Sequence, residues 1–216
     1  MTPGATATMP SRYSRGERAA DAAIHALGLA AVPVACAMLA AQPADTGLAL
    51  PLGLYTIGLV AMLGCSALYN LAREGPRKAL LRRFDHAAIF LMIGGTYSAV
   101  AGIAIGGTWS TALLACVWTG AAAGVALKLL APARFEGLSI LAYLLLGWAG
   151  LVALGPLVAA LPALDLGLIL AGGLLYSGGV AVHLAIRLRY HNAIWHACVL
   201  AAASCHYAVV LRLAAG

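Results

Sequence analysis

Apolar residues in this chain fall in long, nearly unbroken runs, not in the short alternating pattern of half-buried strands. A helix needs about 20 such residues to cross a bilayer. Seven stretches qualify: Ala22 to Ala41, Leu48 to Leu71, Phe84 to Ile105, Ser110 to Leu130, Leu138 to Leu157, Leu166 to Ile186, and Ala193 to Ala214. They predict an all-α integral membrane protein, a bundle of seven transmembrane helices. Pro156 and Pro162 interrupt the fifth and sixth stretches, and Asp165 is expected in the loop between them. The polar first twenty residues lack the apolar core of a signal peptide. Residues 1–21 therefore read as a polar, basic, disordered cytoplasmic tail, and 22–216 as the membrane domain.

Composition agrees. Of 216 residues, 63% are hydrophobic and 9% charged, against roughly 25% charged in soluble domains. Lipid can act as solvent for such a chain where water cannot. Orientation follows from the basic residues, because short loops rich in lysine and arginine stay cytoplasmic. With the N-terminus inside, the inner segments hold Arg12, Arg15 and Arg18, then Arg73, Arg77, Lys78, Arg82 and Arg83. Lys128 and Arg134 flank the end of helix four, and Arg187 and Arg189 precede helix seven, leaving only Arg212 of 13 outside. The N-terminus is thus expected in the cytoplasm and the C-terminus outside. The net charge of +6 then reflects topology, with weak attraction to anionic lipid. Scattered charge of this kind argues against nucleic-acid binding. Cys36, Cys65, Cys116, Cys198 and Cys205 lie in apolar runs without a CxxC pair, and read as packing residues.

Glycines mark close helix contacts: Gly102-x-x-x-Gly106, Gly120-x-x-x-Gly124, and the pairs Gly94-Gly95, Gly172-Gly173 and Gly178-Gly179. No internal repeat is visible, which weakens an inverted-repeat transporter. Trp109 and Trp195 suit a membrane-interface belt or packing, and Trp118 and Trp148 suit lipid-facing or packing bulk.

Ionisable groups inside spans are costly and point to function. Asp85 is the one carboxylate expected at the edge of a span or within it. Ser66 and Asn70 end helix two, Asp85 begins helix three, and Asn192 and His196 begin helix seven. All five share one level near the cytoplasmic side. Ser66 with Asn70, and Asn192 with His196, are i, i+4 pairs, so each pair points one way. A buried polar site on three helices follows. Taken singly, the same residues have plain structural readings: Asp85 as an N-cap, and His25, His86, His183 and His206 as caps or helix-to-helix bonds. His206 lies ten residues beyond His196, roughly 15 Å along the axis, too far to share one ion. His191 is assigned to the water interface.

Ser66-Ala-Leu-Tyr-Asn70, Asp85-His-Ala-Ala-Ile-Phe-Leu-Met-Ile-Gly-Gly-Thr-Tyr97 and Tyr190-His-Asn-Ala-Ile-Trp-His196, with His206-Tyr207, resemble the hemolysin III family. That family is the bacterial branch of the progestin and adiponectin receptor superfamily, itself similar to alkaline ceramidases. The resemblance implies a bacterial plasma-membrane protein with seven spans and zinc near the cytoplasmic side. The zinc pattern it implies has serine and histidine four apart on helix two, aspartate on helix three, and two histidines four apart on helix seven. Ser66, Asp85 and His196 match. Asn70 and Asn192 stand where the pattern has histidines, and Ser98-Ala99 replaces a threonine-proline pair. Carboxamide oxygens are weak zinc donors beside imidazole. Zinc binding by His196, Asn70 and Asn192 is therefore expected to be largely lost.

With the metal in place, the resemblance implies hydrolysis of a lipid amide, Asp85 acting on the water and Ser66 hydrogen-bonding nearby. Without it, the leading reading is a hemolysin III-like membrane protein with a partly degraded zinc-hydrolase-like site near the cytoplasmic face. A non-enzymatic module that senses lipid or binds a partner is a further alternative. Pore formation finds no amphipathic ring-forming segment. A proton-coupled transporter using Asp85 and His196 lacks a broken helix pair. Membrane lipid is the expected partner in either leading case.

Overall fold

The computed structural model describes residues 13–42, 46–131 and 136–216. Its elements are α1 (Arg15–Ala40), α2 (Thr46–Leu71), α3 (Pro76–Ala104), α4 (Gly107–Leu130), α5 (Glu136–Gly147), α6 (Leu154–Ala160), α7 (Ala163–Leu184) and α8 (His191–Ala215), with a 3-10 turn over Ala149–Ala153 before α6. Among the described residues, seven helical stretches are long and apolar enough to cross a membrane, the fifth being the α5–α6 arm Gly137–Ala160. The expected seven spans are present. Arg12 and Arg134 lie outside the described residues.

Two helices start about two turns earlier than their apolar runs. α1 begins at Arg15 because Ser14 and Glu17 form a capping box: the Ser14 hydroxyl accepts from Glu17 N–H at 3.2 Å, and the Glu17 carboxylate from Ser14 N–H at 2.8 Å. The turns from Arg15 to Asp21 are thus helix, where the apolar pattern predicts tail. α3 begins at Pro76, whose missing N–H suits a first helical turn. Asp85 therefore sits well inside α3 and is not its N-cap.

α3 is the centre of the bundle. Of its most apolar window 56% is buried, against 11–28% in the other six spans. It packs on α2, α4, α5 and α8, while α1 and α7 flank α8. Large apolar side chains such as Leu50, Leu130 and Val152 cover the outside, as a lipid-facing surface requires.

Glycines set the closest approaches. A Cβ at Gly124 would overlap the Phe90 ring, one at Gly94 would lie 2.9 Å from Trp118, and one at Gly179 2.9 Å from Trp195. Trp118 donates from Nε1 to Ser98 Oγ at 2.9 Å, and Trp148 to Ser177 Oγ at 3.0 Å. Two glycine expectations fail. Gly106 lies with Gly107 in the left-handed turn between α3 and α4 (φ 63° and 61°), and Gly178 faces open space.

The fifth span breaks at Trp148, which would strand backbone groups in lipid. Tyr97 repairs it: its hydroxyl donates to Gly147 O at 2.9 Å and accepts from Gly150 N–H at 2.7 Å. Tyr97→Phe removes only that oxygen and leaves both groups without a partner. The expected loss is on the order of 2–4 kcal/mol, read as a lower thermal midpoint in detergent. An unchanged midpoint would show that the break does not depend on Tyr97.

At the far end, Asp165 lies in the first turn of α7, not in a loop. It is buried and accepts from Arg212 Nε of α8 at 2.6 Å.

Candidate functional site

The start of α1 docks on the start of α8. Glu17 accepts from Tyr190 N–H at 3.1 Å, and the Tyr13 ring stacks on His191 at 5.6 Å, with its hydroxyl 3.4 Å from His191 Nε2. His191 is accordingly buried, a correction to its expected place at the water interface: residues 13–17 fold over it.

This docking aims α1 at the polar cluster. Glu17, Asp21 and His25 recur every four residues on one face, and the last two reach His196. His196 Nδ1 lies 2.6 Å from Asp21 Oδ1, and His25 Nε2 lies 3.6 Å from Asp21 Oδ2. The two imidazole rings sit 4.4 Å apart. All three residues are buried, and their potential ligand atoms lie within 4.8 Å of one another. This group could hold a metal ion. Asp85 is thus not the one carboxylate within the spans; Asp21 and Asp165 are both buried there.

The residues expected from sequence lie beside this triad. Asn70 donates from Nδ2 to Ser66 O at 3.0 Å and approaches Ser66 Oγ at 3.4 Å and His196 Nε2 at 3.5 Å. Asn70 Oδ1 in turn accepts from Asn192 Nδ2 at 3.5 Å. Asp85 lines the same cavity as Ser66 and His25. Ser66, Asn70, Asp85, Asn192 and His196 therefore line one cavity, together with Asp21 and His25.

The zinc position implied by the family pattern is a poor fit for these side chains. The His196 nitrogen facing it, Nε2, already meets a carboxamide N–H, and the Asn70 oxygen is occupied by Asn192. One imidazole and two mutually bonded carboxamides do not make a zinc ligand set. His206 stays apart: its Nε2 lies 3.2 Å from Ile169 O, and its ring fills the space over Gly172.

Sequence reasoning missed Asp21 and His25. Their i, i+4 spacing is the one that singled out Asn192 and His196, but starting the helix at Ala22 hid it.

The cavity measures about 1420 Å³, larger than the ~300–1,000 Å³ of ordinary small-molecule pockets. It runs from Tyr13 and Glu17 past the triad to Tyr97, Trp148, Ser177 and His206. From His191 to His206 is roughly 22 Å along α8. One end is polar, and the far part sets Ser177 and His206 among apolar and aromatic walls.

Fold and site together define a seven-helix integral membrane protein with a polar, potentially metal-binding cluster at one end of a deep cavity. The chain matches the family described as haemolysin-III related over residues 17–207. It is 33% identical to the hemolysin-3 homolog of Bacillus subtilis (strain 168) over 198 residues, 90% of this chain and 93% of that protein. To the hemolysin-3 of Bacillus cereus it is 31% identical over 198 residues, 90% of each chain. The protein belongs to the hemolysin III family.

Proposed function

We propose that this protein binds a membrane lipid, headgroup against the polar cluster and chain along the cavity, in a bacterial plasma membrane. The observation that carries this is the cavity itself: it is too long, and its walls too largely apolar, for a small polar solute, yet it ends on Asp, His, Asn and Ser side chains. The twelve basic residues assigned to the inner segments support a cytoplasmic polar end. Asn70 and Asn192 make a zinc hydrolase of the family pattern the weaker reading and a lipid-sensing module the stronger one.

Lipid retention tests this. The wild-type chain, purified in mild detergent, is expected to carry about one bound lipid in this cavity by native mass spectrometry. Val180→Trp puts bulk into the lining and should release it, whereas Leu174→Trp on the outer surface of α7 should not. No lipid in the wild type, or equal retention in both variants, would sink the proposal.

Lipid-amide hydrolysis is the second reading. It is favoured by Ser66 and Asp85 lining the same cavity as the Asp21–His25–His196 group. Asp85 would then act on the attacking water and Ser66 would hydrogen-bond beside it.

A further inference from the structure

We propose that Asp21, His25 and His196 hold a divalent cation of the zinc class, displaced toward α1 from the position that the family pattern implies. This stands apart from the lipid reading, and either can fail alone.

The donor set comes first. Two imidazole nitrogens and one carboxylate oxygen, all within 4.8 Å of one another, form a three-ligand set of the kind that leaves zinc an open fourth position. Nitrogen donors also disfavour magnesium and calcium, which prefer oxygen.

A second observation is independent. His25 Nε2 is buried without a hydrogen-bond partner, although it points at Asp21 Oδ2 from 3.6 Å. A buried ring nitrogen in that condition is costly, and a cation between it and the carboxylate satisfies both. The spacing also suits an ion, because ligands on a tetrahedral centre with bonds near 2 Å stand roughly 3.3 Å apart.

His196 needs one adjustment. The 2.6 Å contact between its Nδ1 and Asp21 Oδ1 is bridged by a proton; the cation replaces that proton, and the two atoms move apart to roughly 3.3 Å. The ring proton then resides on Nε2, where it needs an acceptor on the Asn70 side of the ring. Ligating histidines generally donate their other N–H in this way. The fourth position faces the cavity, since all three residues line it, so a water molecule can complete the site.

The experiment uses the full chain in detergent, stripped with chelator and free of any histidine tag, and titrated with cobalt(II) as a spectroscopic substitute for zinc. One cobalt per chain is expected, with the intense visible bands of a low-coordinate ion, and zinc should displace it while magnesium should not. X-ray absorption should count two imidazoles. His25→Gln and Asp21→Asn should each weaken binding at least about 100-fold, given that losing even a supporting residue costs 10–100-fold. Asn192→Ala should leave the stoichiometry unchanged. No cobalt uptake by the wild type overturns the proposal. So does a spectrum with one imidazole, or cobalt that survives His25→Gln but is lost with Asn192→Ala, since both place the ion at the family position. The imidazole count is made on the wild type and holds even if a variant does not fold.

Discussion

Replacing Gly95 with leucine is expected to be among the most damaging single changes to the fold. A Cβ there would stand 2.7 Å from Leu54 O and 3.0 Å from Tyr55 Cα, and one at Gly58 2.9 Å from Met92 Cα. The obstacles are backbone atoms of the facing helix, not flexible side-chain tips, so neither helix can yield locally. α2 and α3 must separate, and α3 is the helix around which the others pack. Overpacking ordinarily costs about 1–3 kcal/mol, and here the loss should reach or exceed the top of that range. Gly53→Ala on α2 is the control: its Cβ would meet nothing within 4 Å, and helix propensity favours it by roughly 0.5–1 kcal/mol. Thermal unfolding in detergent should show Gly95→Leu far below the wild type and Gly53→Ala level with it or above. Equal midpoints for the two variants would refute the claim that backbone approach at Gly95 fixes the α2–α3 contact.

The membrane spans were legible because a bilayer imposes one requirement, about 20 apolar residues in a row, and the chain meets it seven times. What apolar runs cannot show is helix that continues into water or into a polar interior. The turns Arg15–Asp21 and Pro76–Arg83 are helical yet polar, so hydropathy ended both helices short. Their starts were written in a different code, the Ser14-x-x-Glu17 capping box and Pro76 at a first turn. That boundary decided what could be seen of the site. Ser66 with Asn70 and Asn192 with His196 stood out as paired positions at one depth. Asp21 with His25 is the same pair on a third helix, lost because Asp21 fell on the wrong side of the line.

Other features were not in the sequence in any readable form. That α1 lies against α8 depends on Glu17 reaching Tyr190 and on Tyr13 covering His191, contacts between residues more than 170 positions apart. The role of Tyr97 depends on where the fifth span breaks, and the prolines of that stretch suggest a break without placing it. Asp165 looked like a loop residue because its partner, Arg212, lies on another helix.

His196 stands between two ion positions, since one ring can serve a different ion through each of its nitrogens. Nδ1 faces Asp21 and His25, and Nε2 faces Asn70. If the carboxamides are what keep zinc from the Nε2 side, restoring imidazoles there should bring it back. The clean background is His25→Ala, which disables the Nδ1 side. Adding Asn70→His and Asn192→His to it should take the protein from no retained zinc to about one zinc per chain, held by three imidazoles. The geometry favours this gain, for Asn70 Nδ2 lies 3.5 Å from His196 Nε2 and Asn192 Nδ2 lies 3.5 Å from Asn70 Oδ1. Those separations are close to the roughly 3.3 Å expected between ligands on a tetrahedral ion. Asp21, 2.6 Å from His196 Nδ1, would then be the carboxylate that orients a ligating histidine, and Asp21→Asn in the same background should lower affinity about 10–100-fold. Metal content after dialysis, measured on monodisperse protein, reads both effects. A folded triple variant that retains no zinc would mean that positions 70, 192 and 196 do not converge on one ion, and that the two asparagines are not what separates this chain from a zinc protein of the family pattern.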